Sequence, residues 1–308
     1  MTSPPAGPVL AYFCYGSKGV CDQAIYSILS LLHVSGGVPS GCRIVVYSDR
    51  PADFARLPVE MVPLDQATLD TWLGDSDYVH RRKSCMLIDA LERFGERVFL
   101  IDSDTWFRRA PDAMFRRAGP GRACFHLCEG YLTQTGTPPD DALARQLRAG
   151  DYRLPSRERI VVDRRTPMWN TGVIGVHADD LPRVRAALAL SDAIWAGADP
   201  VGAYGRKVHH AEQFAMGVAF ADCRLTEAAD TVYHYWPQAA KQRFDPRLPA
   251  LVKAGMADRS PASLAAIYAA RERETGLPAL RDGLKMALRR LALATGAPVR
   301  GYRRSVGG

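Results

Sequence analysis

Along its first third, the chain switches repeatedly between short β-type runs and helix-type spacing, and no other feature constrains its fold as strongly. Val9 to Tyr15 is an apolar run, followed by the Gly-rich turn Gly16-Ser17-Lys18-Gly19. Asp22 is placed to cap a helix carrying Ile25, Ile28, Leu29 and Leu32, and Ser35-Gly36-Gly37 stops it. Arg43 to Tyr47 and Val98 to Ile101 are two further β-rich runs. Between them, Ser84 to Phe94 has helical spacing and meets Gly95 at its end. Alternation of this kind predicts an α/β fold with a parallel sheet. Three of the runs end in polar residues, at Tyr15-Gly16, Ser48-Asp49 and Asp102-Ser103-Asp104. Ligands of open α/β sheets bind beyond the carboxyl ends of the strands, so a nucleotide-sized pocket is expected there.

The second half continues with less regularity. Gly130 to Arg165, rich in Thr, Pro, Asp and Arg, reads as a long loop with a short helix around Asp141 to Ala149, and a loop of that length is often a lid. Met168 to His177 is strand-like, Leu181 to Trp195 and His210 to Phe220 are helical, and Thr231 to Trp236 is a short strand ending in aromatics. Beyond Pro237 the chain reads as helical, with candidates at Pro261 to Glu274 and Leu277 to Ala294.

Composition excludes several classes. Of 308 residues, 47% are hydrophobic and 24% charged, as in an ordinary globular protein, and no apolar stretch is long enough to span a membrane. The start, Met1 to Pro8, lacks the basic end and apolar core of a signal peptide. Seven scattered cysteines with no C-x-x-C pair are expected to be free thiols, consistent with a cytoplasmic location. The formal charge of +7 is concentrated between Arg281 and Arg304, where seven basic residues face only Asp282. A nucleic-acid-binding surface is therefore not expected. The leucines at 277, 280, 284, 288 and 291 form one helical stripe beside those cations, a pattern that suits internal packing or, as the alternative, peripheral contact with an anionic membrane face.

The chemistry concentrates in three segments. Val98 to Phe107 is an apolar strand that delivers Asp102 and Asp104 at its end, one residue apart. Paired carboxylates of this kind suit Mg²⁺ or Mn²⁺, which keep open positions for phosphate oxygens. Asn170-Thr171-Gly172 is a small polar triplet set into an apolar strand, with side chains able to meet sugar hydroxyls and a Gly that permits close backbone approach. His234, followed by Lys241, offers a further metal ligand and a cation for a phosphate oxygen.

Taken in order, Asp102-Ser103-Asp104, Asn170-Thr171-Gly172 and His234 with Lys241 resemble the retaining glycosyltransferases of family 8 and their bacterial relatives. The resemblance runs from about Val9 to Lys241 and implies a GT-A (Rossmann-like) mixed sheet flanked by helices over 1–241, followed by a basic helical extension over 242–308. It implies a donor site for a nucleotide-diphosphate sugar, a UDP-sugar above others, with Asp102, Asp104 and His234 on Mn²⁺ or Mg²⁺. Phe13, Tyr15, Gly16 and Asp49 fall where base and ribose are held, and Arg82 and Lys83 where the diphosphate is met. Ser103 and Lys241 belong to the same site. Glu212-Gln213 stands where the family commonly shows Asp-Gln-Asp, which places Gln213 beside the anomeric carbon in a retaining reaction. In an inverting version, Glu212 is the general base. The usual Gly and Pro-Trp around the lysine are absent. Two rivals remain: a non-catalytic sugar-nucleotide-binding protein of the same fold, and a phosphatase of the haloacid dehalogenase type. The latter motif wants Thr or Val where this chain has Trp106.

Overall fold

A computed structural model of the chain describes residues 7–131, 147, 150–154, 156–162, 166–196, 210–273 and 284. The lid expected over Gly130 to Arg165 falls largely outside them, and so does the helix expected over Leu277 to Ala294.

The core element is a seven-stranded sheet in the order β10-β6-β9-β4-β1-β2-β3. Its strands are β1 (Val9–Cys14), β2 (Arg43–Ser48), β3 (Glu60–Pro63), β4 (Arg97–Ile101), β6 (Arg122–Tyr131), β9 (Pro167–His177) and β10 (Arg224–Glu227). β1, β2, β3 and β4 run parallel, as the alternation predicts. The sheet is nevertheless mixed, because β9 lies antiparallel to both β4 and β6. β9 is buried along almost its whole length, as befits a strand with neighbours on both edges and helices on both faces.

The first helix, α1 (Lys18–Ser35), begins earlier than expected. Ser17, not Asp22, is its N-cap: the Ser17 hydroxyl accepts from the Val20 amide, and Asp22 lies inside the helix on Lys18 at 2.7 Å. The polar turn itself supplies the cap, so no later residue is needed for it. The helix ends as expected at Gly36, whose φ of 67° suits a residue without a Cβ.

Helices cover the two faces. On one lie α3 (Arg81–Phe94), α5 (Leu181–Ala196) and α6 (Ala211–Ala219), whose apolar sides share a core with Val9, Val45, Leu100 and Ile174. α2 (Gln66–Leu73) leads into this layer, while α4 (Asp112–Phe115) is a single turn on the opposite side. On the other face α1 packs with α8 (Leu248–Ala257) and α9 (Pro261–Ala269), and α7 (Gln238–Phe244) adds Phe244 against Tyr26. Gly255 of α8 sits where a Cβ would come within 2.4 Å of Leu29 in α1, so the two helices meet closely. Residues beyond Lys241, through α9, thus share a core with α1.

Two small ribbons complete the described structure. β5 (Thr105–Phe107) pairs antiparallel with β11 (Val232–His234), and β7 (Tyr152–Arg153) with β8 (Arg159–Ile160). All seven cysteines are free, five of them buried. Among the described residues, no helix is long and apolar enough to cross a membrane.

Candidate metal and donor site

The site is built where β4 leaves the sheet. Asp102 follows its last residue, and the chain turns through Ser103 and Asp104 into β5. That turn is fixed from beneath. The Asp102 amide donates to Gly172 O at 2.9 Å, and Tyr235 N donates to Asp104 O at 3.0 Å. Thr105 Oγ1 donates to Asp102 O at 2.8 Å and meets Ser27 Oγ at 2.8 Å, and Ser27 in turn meets the Tyr12 hydroxyl at 3.0 Å. A buried chain of hydroxyls from α1 and β1 therefore holds the backbone that presents both carboxylates.

Pairing of β11 with β5 sets His234 opposite Thr105 and brings its ring to the same turn. Ligand atoms of Asp102, Asp104 and His234 all lie within 4.8 Å of one another. His234 Nε2 is 3.2 Å from Asp104 Oδ1 and 3.9 Å from Asp102 Oδ2. Its other nitrogen, Nδ1, is 3.1 Å from Asn170 Oδ1. That contact places a proton on Nδ1 and aims Nε2 at the carboxylates, where it donates to Asp104 as N–H and can ligate a cation once deprotonated. Two carboxylates and an imidazole with such an outer partner form a donor set that fits a divalent cation.

Two lysines neutralise the carboxylates. Lys83, on α3, reaches Asp102 Oδ1 and Thr171 O, each at 2.7 Å. Lys241, on α7, reaches Asp104 Oδ2 at 2.7 Å. Burial works to raise the Asp104 pKa, but facing His234 and Lys241 outweigh it and hold the carboxyl well below its usual range. Burial likewise works to lower the Lys83 pKa, and Asp102, Glu212 and Asp104 outweigh it, so its ammonium is held more firmly than usual.

The polar triplet is brought to the site, with tasks different from those expected. Asn170 uses Oδ1 on His234 and on the Gly172 amide (2.8 Å) and one Nδ2 hydrogen on Glu129 Oε1 (2.8 Å), so its amide orients the imidazole. Thr171 donates to Glu212 Oε2 at 2.9 Å. Gly172 makes room for a side chain: a Cβ there would fall 2.2 Å from His234 Nδ1.

Glu212 opens α6, buried, with its amide donating to the Tyr78 hydroxyl at 3.0 Å. Burial raises its pKa, and Lys83 and Thr171 oppose that only in part. Among the described residues, its Oε1 has no hydrogen-bond partner. Gln213 beside it is partly exposed.

The two basic residues expected at the diphosphate separate. Lys83 faces the carboxylates, whereas Arg82 turns away, donates to Leu69 O at 2.8 Å and stacks over Tyr15 at 5.2 Å. Successive helical residues differ in direction by about 100°, which starts the two side chains toward different neighbours. Tyr15 also packs on Phe13 at 4.7 Å, and Phe13 on Trp72 at 5.9 Å. Gly16 N donates to Asp49 Oδ2 at 3.0 Å, joining the ends of β1 and β2. Ser103 is bonded to Gln23 Oε1 at 3.2 Å, and Gln23 Nε2 donates to Asp245. Gln23, Tyr78 and Trp72 escaped the sequence reading because each works through a long-range contact with no local motif around it.

No family model matches the chain, and no curated protein matches it. Two solved structures follow a similar course. One is a galactosyltransferase, LgtC, in complex with donor and acceptor sugar analogues: 9% identical, covering 80% of this chain and 95% of its own, with a TM-score of 0.49. The other is mouse xyloside xylosyltransferase 1 in its apo form: 11% identical, covering 70% and 82%, with a TM-score of 0.44. Likeness at that level does not decide a function, which rests on the residues of the site.

Proposed function

We propose that the chain is a metal-dependent glycosyltransferase of the GT-A type. It takes a sugar from a nucleotide-diphosphate donor, a UDP-sugar, and passes it to a hydroxyl acceptor. The observation that carries this reading is the meeting of Asp102, Asp104 and the Asn170-oriented His234 at the end of β4, with a lysine on each carboxylate.

Asp102, Asp104 and His234 would hold Mn²⁺ or Mg²⁺, which supplies Lewis-acid stabilisation of the departing diphosphate. Lys83 and Lys241, each 2.7 Å from one of these carboxylates, are placed to meet phosphate oxygens of the donor. The Phe13–Tyr15–Trp72 aromatic group, stiffened by Arg82, and the Asp49–Gly16 contact are the proposed seat of the nucleoside. The sugar C1–O(phosphate) bond breaks and a C1–O(acceptor) bond forms. The hydroxyl proton passes to the leaving diphosphate in the retaining version, with Gln213 beside the anomeric carbon.

One observation favours a second reading of the stereochemistry. Glu212 has an unpartnered Oε1 and a raised pKa, as a general base for an inverting reaction requires. Proton NMR of the fresh product separates the two, because the anomeric coupling reports retention or inversion directly.

A panel of nucleotide sugars, scored for Mn²⁺-dependent hydrolysis or transfer, tests the proposal. Turnover of a UDP-sugar that stops in EDTA is expected. A protein that binds UDP-sugars without turnover is the non-catalytic rival, and release of phosphate from simple monoesters is the phosphatase rival.

A further inference from the structure

The β5–β11 ribbon has a second face. Thr105 stands opposite His234 and Trp106 opposite Tyr233, so alternation sends His234 to the metal cluster and Trp106 and Tyr233 to the other side. There the two rings pack at 4.9 Å. The Arg271 guanidinium lies over Trp106 at 5.2 Å and over Tyr268 at 4.2 Å.

Beside these rings the end of α7, the turn into α8 and the chain after α9 line an open concavity of about 360 Å³. Four arginines line it, Arg243, Arg247, Arg271 and Arg273, with Glu272 the one acid among its lining residues. That acid is already engaged: Glu272 is buried, receives Arg243 Nη2 at 2.7 Å on one oxygen and the Tyr233 hydroxyl at 3.1 Å on the other. Among the described residues, no carboxylate pairs with Arg247, Arg271 or Arg273. Arg271 donates from Nη1 to Tyr268 O at 2.9 Å, while its buried Nε has no partner among the described residues.

Three guanidinium groups around one concavity repel each other, and an arrangement of this kind is favourable when an anion completes it. Guanidinium forks match the spacing of phosphate oxygens, and the ring-stacked Arg271 is held in place before any ligand arrives. The volume lies at the small end of ligand pockets, enough for a phosphate with several attached atoms.

We propose that this cavity binds a phosphomonoester, its phosphate held by Arg247, Arg271 and Arg273. The site is separate from the metal cluster and stands or falls independently of the glycosyltransferase reading. The phosphomonoester is either a soluble metabolite or the headgroup of an acidic lipid.

The test uses the full chain in EDTA, so that the Asp102 cluster holds no metal. Glycerol phosphate is titrated by calorimetry, and flotation is run with phosphatidylcholine vesicles with and without phosphatidic acid. Arg247→Gln and Arg273→Gln lie on different segments, both exposed, so loss of fold in one leaves the other informative. Binding of glycerol phosphate that each substitution weakens about tenfold, with the melting temperature of each variant unchanged, establishes the site with a soluble ligand. Binding only to phosphatidic acid vesicles, lost in the same variants, establishes it with a lipid headgroup. Absence of both, or binding that both variants retain in full, overturns the proposal.

Discussion

The ring of His234 is held by Asn170: Nδ1 lies 3.1 Å from Asn170 Oδ1, and Nε2 is thereby turned to the Asp102 and Asp104 carboxylates. A side chain expected from the sequence to meet a sugar thus orients the imidazole of the candidate metal cluster. Asn170→Ala should fold, bind UDP-free Mn²⁺ about 10- to 100-fold more weakly, and keep Asp102 and Asp104 in place. Calorimetry with Mn²⁺ alone measures this, and an unchanged affinity would remove Asn170 from the site.

Gly172 makes a sharper case, since only a hydrogen fits there. Gly172→Ala would put its Cβ 2.2 Å from His234 Nδ1 and 2.9 Å from Asn170 Oδ1. One added methyl should cost about 1–3 kcal/mol of stability and also depress Mn²⁺ affinity, because the imidazole must move. Denaturant melts and metal titration read the two effects separately. Full metal affinity in the alanine variant would show that His234 is not a ligand.

Lys83 competes with a cation for Asp102, which it meets at 2.7 Å. Lys83→Met should therefore bind Mn²⁺ alone more tightly than the parent chain. It should bind UDP in the presence of Mn²⁺ more weakly, since a phosphate partner is gone. A fall in both affinities would mean that the lysine only supports the fold.

Glu212 gives a prediction in pH. Its folded pKa is raised by burial, so its favourable contribution is full below the unfolded value of about 4.3 and is lost as pH rises through the folded pKa. A neutral amide has no such loss. The melting temperature of Glu212→Gln should rise relative to the parent chain as pH moves from 4 towards 8. A difference that stays flat across that range would place the carboxylate in contact with solvent or a permanent partner.

Much of this site was legible because its ligands sit in local motifs at the ends of apolar runs. Asp102-Ser103-Asp104 follows the run Val98 to Ile101, and His234 stands near the end of another, so the order of these motifs, with the resemblance it carries, grouped the three residues that the fold brings together. What the sequence concealed are contacts made across the fold. Arg82 and Lys83 look equivalent in the chain and are separated by the helix turn. The strands at Glu60–Pro63, Arg122–Tyr131 and Arg224–Glu227 carry no clean alternation and are specified by their neighbours in the sheet. The antiparallel direction of β9 depends on connections over a long stretch of chain, which local periodicity does not record. Ser17 won the cap from Asp22 because a single hydroxyl at the turn was enough.

Binding of UDP, titrated by calorimetry into the full chain with Mn²⁺ and again with EDTA, tests the central claim most directly. Asp102, Asp104 and His234 predict binding that depends on Mn²⁺, vanishes in EDTA, and is lost in Asp104→Asn while that variant still melts cooperatively. Equal UDP affinity with and without the metal, or an Asp104→Asn chain that binds as the parent does, would contradict it.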